Sequence, residues 1–461
     1  MSKRAGDLSG GVPVHKVQVV EVFDSLPTET SIQDGYWQEY RPTQATFHPT
    51  QFLVPPVTNF IDLSQCYLEL GLKLVKTDGT DVGETEINVG VINNIAHSMI
   101  KRFDVKLNNT STGEPTDLYH MKAYVQNLLN FSPDQKDSYL AQEGWYTDTP
   151  GKLNSFRTVA DAGLDNALAT THANYNAGFL QRSKLFFTNF GITGQAGREV
   201  TFRLQPAVDI FQSGRFLVPQ VSMDIQIDYN ESPLVVMAAS AATHKIQITK
   251  AVFVVRHVRA SDSIMLNLRG SQAALKKTAI YPIRTTKPIR RTLEQGKLSF
   301  SFPDIFQQAV PDQVTVGMVP AANFNGAMQL NPFQFQLGTL KSVRWMVNGH
   351  ERPQSRLEIK SFDKMEAYDT LFQSTGNMHR GFSPGIKRQD YNQGFALMRF
   401  NFTPDGKDAK NYTYKNNQGT LDLFLEFESA LASNLVLILL PEFENEIMVD
   451  PNMVVTMKHN Y

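Results

Sequence analysis

Two stretches far apart in the chain are written to one pattern, and this doubling constrains the fold more than any other feature. Met223-Asp-Ile-Gln-Ile-Asp-Tyr-Asn230 and Leu421-Asp-Leu-Phe-Leu-Glu-Phe-Glu428 both carry apolar residues at odd positions and an acid at the second and sixth. A side-chain period of two is that of a β-strand with one buried face. Each stretch is followed by a break of small residues and one more apolar strand. Upstream, Ile100-Lys-Arg-Phe-Asp-Val-Lys-Leu-Asn-Asn109 lies on Leu340-Lys-Ser-Val-Arg-Trp-Met-Val-Asn-Gly349, in both cases a strand running into an Asn-led turn. A helical segment with an Ala-Tyr pair comes next in both, at Ala123-Tyr124 and Ala367-Tyr368. Alternation is generic, so a single match carries little. The shared order of strand, turn, helix, long stretch, acidic strand and final strand is what points to two copies of one domain. Each copy holds about eight short strands and one helix, which suits an eight-stranded jelly roll. The expected fold is all-β: two tandem eight-stranded jelly-roll β-sandwiches, with short helices in the loops.

A pass along the chain places the parts. Residues 1–35 read as a polar N-terminal arm, with one strand expected at Val17–Phe23. Residues 36–258 form the expected first jelly roll, with strands at Cys66–Val75, Phe103–Leu107, Lys184–Phe187, Glu199–Leu204, Met223–Tyr229 and Ile246–Val258. Lys76-Thr-Asp-Gly-Thr80 supplies a turn. In Tyr119–Phe131 the apolar residues recur at three and four, the spacing of an amphipathic helix. Residues 132–183 show no sustained period and are read as a long loop, of the kind that carries function or surface decoration. Residues 259–276 are the expected linker, with some helical character. Residues 277–461 form the second jelly roll, with strands near Lys297–Phe302, Gln313–Val319, Ser342–Val347, Gly394–Phe402, Leu421–Glu428 and Leu435–Leu440. A second amphipathic helix, Ser361–Ser374, is expected to hold Phe362, Met365, Tyr368, Leu371 and Phe372 on one face. Residues 375–393 are a second candidate protruding loop.

Bulk properties exclude several functions. The 461 residues are 41% hydrophobic and 19% charged, enough apolar material for large cores and too little charge for a disordered chain. A net charge of −1 does not suit a dedicated nucleic-acid binder. The single cysteine, Cys66, lies in an apolar stretch and reads as a small core residue, so no intrachain disulfide is available. The opening MSKRAGDLSGG lacks the apolar core of a signal peptide, so a chain outside the secretory path is expected and its Asn-x-Ser/Thr matches read as chance. The longest apolar run, Leu435 to Pro441, is too short to span a bilayer as a helix.

Catalytic signatures are missing. The sequence holds no phosphate-binding Gly-rich loop, no His or Cys cluster with metal-ligand spacing and no nucleophile elbow. No enzymatic activity, cofactor, metal or small-molecule substrate is expected. His257, inside an apolar strand, reads as a hydrogen-bonded structural histidine. Asp224, Asp228, Asp422 and Glu426 read as the polar faces of two strands rather than as paired catalytic carboxylates. One charge feature stands out. Between Asp262 and Glu294 lie seven basic residues and no acid: Arg269, Lys276, Lys277, Arg284, Lys287, Arg290 and Arg291. They are the candidate for a non-specific contact with DNA. A solvated linker, or pairing with acids of a neighbouring subunit, accounts for them equally simply. The aromatic stretch Thr28–Pro42, with Tyr36, Trp37 and Tyr40, is suited either to clamping a neighbour or to covering the edge of its own sheet.

Several short segments, in order and spacing, resemble the double jelly-roll major capsid proteins of Polinton/Maverick elements and adintoviruses. They are Thr28-Glu-Thr-Ser-Ile32, Glu39-Tyr-Arg-Pro42, Phe60-Ile-Asp-Leu-Ser64, Asp390-Tyr391, Gly394-Phe-Ala-Leu397, Phe400-Asn-Phe-Thr-Pro-Asp405, Gly419-Thr-Leu-Asp-Leu423 and Glu442-Phe-Glu-Asn-Glu-Ile447. The resemblance runs from about residue 25 to the end, and residues 132–183 carry little of it. It implies a hexon-like homotrimer whose six jelly rolls give a pseudo-hexagonal capsomer of an icosahedral virion shell. It also implies a penton or minor capsid protein at the vertices, a packaging ATPase and a maturation protease as partners. The rival readings are a secreted-type carbohydrate-binding β-sandwich protein and a minor or vertex capsid protein. The doubling speaks against the vertex reading, since such proteins are typically single jelly rolls.

Overall fold

The computed structural model describes residues 30–44, 47–83, 89–155, 176–189, 194–238, 244–307, 309–353, 355–373, 383–404, 406 and 418–459. The strand expected at Val17–Phe23 lies outside them. Strands make up 43% of the described residues and helices 19%.

Eight strands build the first sandwich: β1 (Ile32–Tyr40), β2 (Thr50–Val54), β3 (Phe60–Lys76), β4 (Ile100–Leu107), β5 (Thr110–Ser111), β6 (Glu199–Leu204), β7 (Met223–Tyr229) and β8 (His244–Ala260). One sheet has the order β1-β8-β3-β6 and the other β2-β7-β4-β5, with every pairing antiparallel. The chain therefore passes from one sheet to the other at nearly every connection, which is the jelly-roll winding. The second sandwich repeats it. Its strands are β9 (Ala279–Thr286), β10 (Ile289–Leu293), β11 (Ser299–Phe302), β12 (Gln313–Pro320), β13 (Leu340–Val347), β14 (His350–Glu351), β15 (Leu357–Glu358), β16 (Leu397–Asn401), β17 (Leu421–Phe427), β18 (Leu435–Val449) and β19 (Val455–His459). β9 and β10 both lie along β18, as one strand broken at Lys287-Pro288. Taking them together, the orders are β9/β10-β18-β12-β16 and β11-β17-β13-β14, the same winding as before. The molecule is a double jelly roll.

The duplication extends to single hydrogen bonds. In β7 and β17 residues alternate buried and half-buried without a break, so Met223, Ile225, Ile227, Tyr229 and Leu421, Leu423, Leu425, Phe427 enter the two cores. Each fully buried Leu or Ile contributes about 1.5–3 kcal/mol relative to an exposed one. The two Asn-led turns have positive φ at both central residues, 44° and 66° at Asn108-Asn109 and 50° and 80° at Asn348-Gly349. Asn and Gly tolerate that region, and it matches the strand twist of a two-residue hairpin. The Asn108 Oδ1 accepts from the N–H of Ser222, one residue before β7, at 2.8 Å. The Asn348 Oδ1 accepts from the N–H of Thr420, one residue before β17, at 2.9 Å.

Four longer helices accompany the strands: α1 (Tyr119–Asn130), α2 (Ala177–Leu185), α3 (Asp262–Leu275) and α4 (Met365–Gln373). Helical structure thus exceeds the two elements expected. The strand expected at Lys184–Phe187 is mostly the end of α2, capped at its start by the Asn176 side chain accepting from the Phe179 N–H. Residues 132–183 are not one open loop. Ser132 opens a one-turn helix, Pro133–Asp137, through a capping box with Gln135. α3 occupies the segment read as linker. α4 starts at Met365 rather than Ser361, and Phe362 stands outside it, fully exposed. The β1, β2, β9, β10 and β19 strands, and the two-residue β5, β14 and β15, were not among those expected. β9 and β10 carry Arg284, Arg290 and Arg291 of the basic run.

Candidate assembly interface

The two sandwiches meet across α1. This helix has the amphipathic period of a surface helix, yet ten of its twelve residues are buried. The second sandwich covers the face that would otherwise meet solvent. Tyr124 stacks on Phe333 with ring centroids 3.9 Å apart and planes within 3°, and Trp145 lies 5.2 Å from Tyr124 on the same cluster. Nearby, the fully buried Arg182 donates to Asp148 Oδ1 at 2.7 Å and to the carbonyls of Val91 and Tyr146 at 2.8 and 2.7 Å. Asp148 Oδ2 accepts from Asn331 Nδ2 of the second sandwich at 3.3 Å. A buried pair so fully hydrogen-bonded fixes geometry more than it adds stability. Lys136 reaches across as well, donating to the carbonyls of Leu128 and Pro384, both at 2.6 Å. Burial lowers its pKa to about 8.

A second part of the junction lies at the end of β9. The Thr286 N–H donates to Asp209 Oδ2 at 3.2 Å, and Asp209 also accepts from the buried Lys122 at 2.6 Å. Lys287 pairs with Glu114, on the segment between β5 and α1. Tyr281 of β9 accepts from the Val218 N–H at 2.9 Å and donates to the Phe216 carbonyl at 3.2 Å.

The buried ionisable groups serve structure. Tyr119 Oη accepts from the Ala207 N–H at 3.1 Å, which leaves its proton for His97 Nδ1 at 3.0 Å. His97 Nε2 then carries the proton shared with Glu143 at 3.2 Å, and Glu143 also accepts from Asn127 and the Gln205 N–H. His97, Tyr119 and Glu143 are all buried. His257 is fully buried, bonded to Tyr40 at 3.2 Å and stacked on Tyr36, a structural histidine as expected. The Cys66 thiol is buried and pushed up to about 12, mainly by that burial. Asp224 accepts from Gln51, and Glu426 accepts from Lys341 at 3.0 Å and pairs with Arg356, so the acids of β7 and β17 do lie on polar strand faces. No group of three or more His, Cys, Asp or Glu side chains is placed to hold a metal among the described residues. A cavity of about 480 Å³, lined by His48, Tyr229, Glu231, His244 and Met328 among others, opens at one end of the first sandwich.

The basic residues do not form one patch. Arg284 lies 3.6 Å from both Glu442 and Glu444, and Lys287 pairs with Glu114. Arg269 on α3, Lys276 and Lys277 just beyond it, and Arg290 and Arg291 on β10 are exposed, with no ion pair among the described residues. The Arg290 guanidinium lies over the Phe324 ring at 5.5 Å. The aromatic stretch around Tyr36 is β1 itself. It pairs with β8 and forms the edge of its own sheet. Its residues remain largely open to solvent, with Tyr36 41% and Trp37 47% exposed. Arg256 lies over Trp37 at 5.3 Å, and Tyr67 is 5.6 Å from it. Exposed aromatic and arginine side chains are the types enriched at protein interfaces.

No protein-family model matches the chain. An uncharacterized protein of Caenorhabditis elegans is 20% identical over 399 residues, covering 83% of this chain and 87% of that protein. Among solved structures, a chain of the Sputnik virophage determined by cryo-EM matches with a TM-score of 0.63 at 10% identity, over 95% of this chain and 90% of that one. The mavirus major capsid protein matches with a TM-score of 0.55 at 11% identity, over 95% and 93%. The Faustovirus major capsid protein matches with a TM-score of 0.53 at 10% identity, over 92% of each chain. At these identities the likeness is one of fold, and it spans both jelly rolls.

Proposed function

We propose that this chain is a structural major capsid protein, hexon-like, that forms pseudo-hexagonal homotrimers in the shell of an icosahedral virion. The observation that carries the reading is the repeated winding. Two jelly rolls of identical strand order, locked side by side across α1, give three copies six equivalent building blocks. Such a ring tiles a shell with near six-fold packing from one gene product. The full-length likeness to capsid proteins of virophages and a giant virus supports it. The residue-level resemblance favours the Polinton/Maverick–adintovirus type among double-stranded DNA elements, with synthesis in the host cytoplasm. The proposed jelly rolls run from β1 to β8 and from β9 to β19, with α3 between them as the linker and the residues before β1 as an arm. A penton or minor capsid protein would fill the vertices, where a doubled jelly roll does not suit five-fold symmetry.

Negative-stain class averages of the purified full-length chain test the reading. Hexagonal outlines with six lobes are expected; single two-lobed particles at all concentrations would contradict it. Contact with packaged DNA rests on the five exposed basic residues named above. Changing Arg290 and Arg291 to Gln is expected to flatten the salt dependence of DNA binding by the trimer. DNA binding by the parent trimer that does not change with salt would remove the DNA role.

A further inference from the structure

The contact between the two sandwiches within one chain has a second, unfilled copy on the same chain. In the filled contact, the strand β9 ends at Thr286-Lys287-Pro288. Its end faces the segment before α1, with Lys287 on Glu114 and a crevice between lined by Thr116, Thr285 and Thr286. β1 is the counterpart of β9. It ends at Tyr40-Arg41-Pro42, again a basic residue followed by proline. The register agrees too. Tyr40 pairs with Phe253, seven residues before the end of β8 at Ala260, and Thr286 pairs with Glu442, seven before the end of β18 at Val449. The segment before α4 is the counterpart of the segment before α1. Both copies of these surfaces are open: Arg41 is exposed, and Phe362, three residues before α4, is 100% exposed.

A lone exposed apolar residue is ordinary. Phe362 differs because the turn that bears it is fixed. The Ser361 N–H donates to both Glu366 carboxylate oxygens at 3.2 and 3.3 Å, and the Ser361 hydroxyl donates to one of them at 2.7 Å. Asp363 accepts from Arg388 at 2.5 Å, and Lys364 holds a positive φ of 59°. A rigid apolar side chain loses little conformational entropy on docking.

Resting on the assembly proposed above, we infer that the Phe362 turn of one copy docks on the β1 edge of a second copy, against Tyr36, Trp37 and Arg41. The acids flanking the turn, Glu358 (paired with Lys360 at 2.7 Å) and Asp363 (paired with Arg388), would be shared with Arg41, in the place that Glu114 holds toward Lys287. The contact is heterologous, one surface meeting a different one, so it propagates and closes when the rotation per copy allows. It repeats between chains the step already made within each chain.

The test uses the full-length chain. In light scattering, Phe362→Asp and Arg41→Glu are each expected to reduce the mass from three times the 51.8 kDa chain to one, with an unchanged far-ultraviolet circular dichroism spectrum, because both side chains are exposed on the single chain. A parent trimer that either variant leaves intact would overturn this interface and spare the assembly reading. A monomeric parent would overturn that reading and the interface with it. Cysteine trapping checks the pairing without disrupting it. A chain with both Trp37→Cys and Phe362→Cys is expected to oxidise to covalent trimers, and either substitution alone to none. Cross-linked dimers from Phe362→Cys alone would mean a symmetric contact and overturn the proposal.

Discussion

Asp312 is the residue whose environment makes the sharpest demand. Burial first, and the charge of Glu444 second, push its carboxyl up to about 7, with Arg284 opposing. The folded chain therefore keeps this proton up to about pH 7, while the unfolded chain loses it near the ordinary value of 3.8. Between those limits the unfolded state binds fewer protons, so stability falls as pH rises and levels off above about 7. Asp312→Asn is expected to remove that slope and to exceed the parent in stability by about 1–3 kcal/mol at alkaline pH, with the gap closing toward pH ~4. Urea unfolding at stepped pH measures it. Asn108 makes a second demand. Ala there keeps an unfavourable φ of 44° and loses the bonds to Ser222 and to the Met453 carbonyl. A loss of about 2–3 kcal/mol is expected in the same unfolding assay, and a smaller one for Asn108→Gly, which tolerates the φ. The Asn-led turn was legible in the sequence because Asn-Asn and Asn-Gly after an alternating strand are local signals. The perturbed Asp312 was not, because its neighbours Glu444 and Arg284 are remote in sequence.

Strands with one buried face were the readable elements. Met223–Tyr229 and Leu421–Phe427 match their expected positions to within a residue, since a period of two survives in any half-buried strand. Where an element's surroundings come from the other sandwich, its type was readable but its burial was not. α1 has the period of a surface helix, and only the docking of Phe333 makes its outer face interior. Tyr124→Ala and Phe333→Ala are each expected to cost about 3–5 kcal/mol. The double variant should fall short of their sum by about 0.5–1.5 kcal/mol, because each ring is the other's stacking partner. Strict additivity in thermal unfolding would mean that the stack does not couple the sandwiches. Phe362 was assigned to the apolar face of a helix because it falls at the right spacing from Met365. The Ser361–Glu366 hydrogen bonds hold a turn before the helix, which starts only at Met365 and leaves the ring outside, and spacing alone does not reveal this.

At the scale of the whole molecule, the doubling seen in the sequence becomes two sandwiches of one winding. A buried stack, Tyr124 on Phe333, and a buried bond, Asp148 to Asn331, join them, with the exposed Lys287–Glu114 pair at the rim. A junction built this way holds the two sandwiches at a fixed relation, and a fixed relation is what a closed ring requires. The exposed surfaces that complete the ring are the part sequence reading could not locate. It flagged the aromatics of β1 without choosing between a neighbour and the strand's own sheet, and it placed Phe362 inside a helix. The measurement that tests the account most directly is the mass of the purified chain in solution, by light scattering coupled to size exclusion. The account predicts a stable species of three chains. A monodisperse single chain across the accessible concentration range would contradict it.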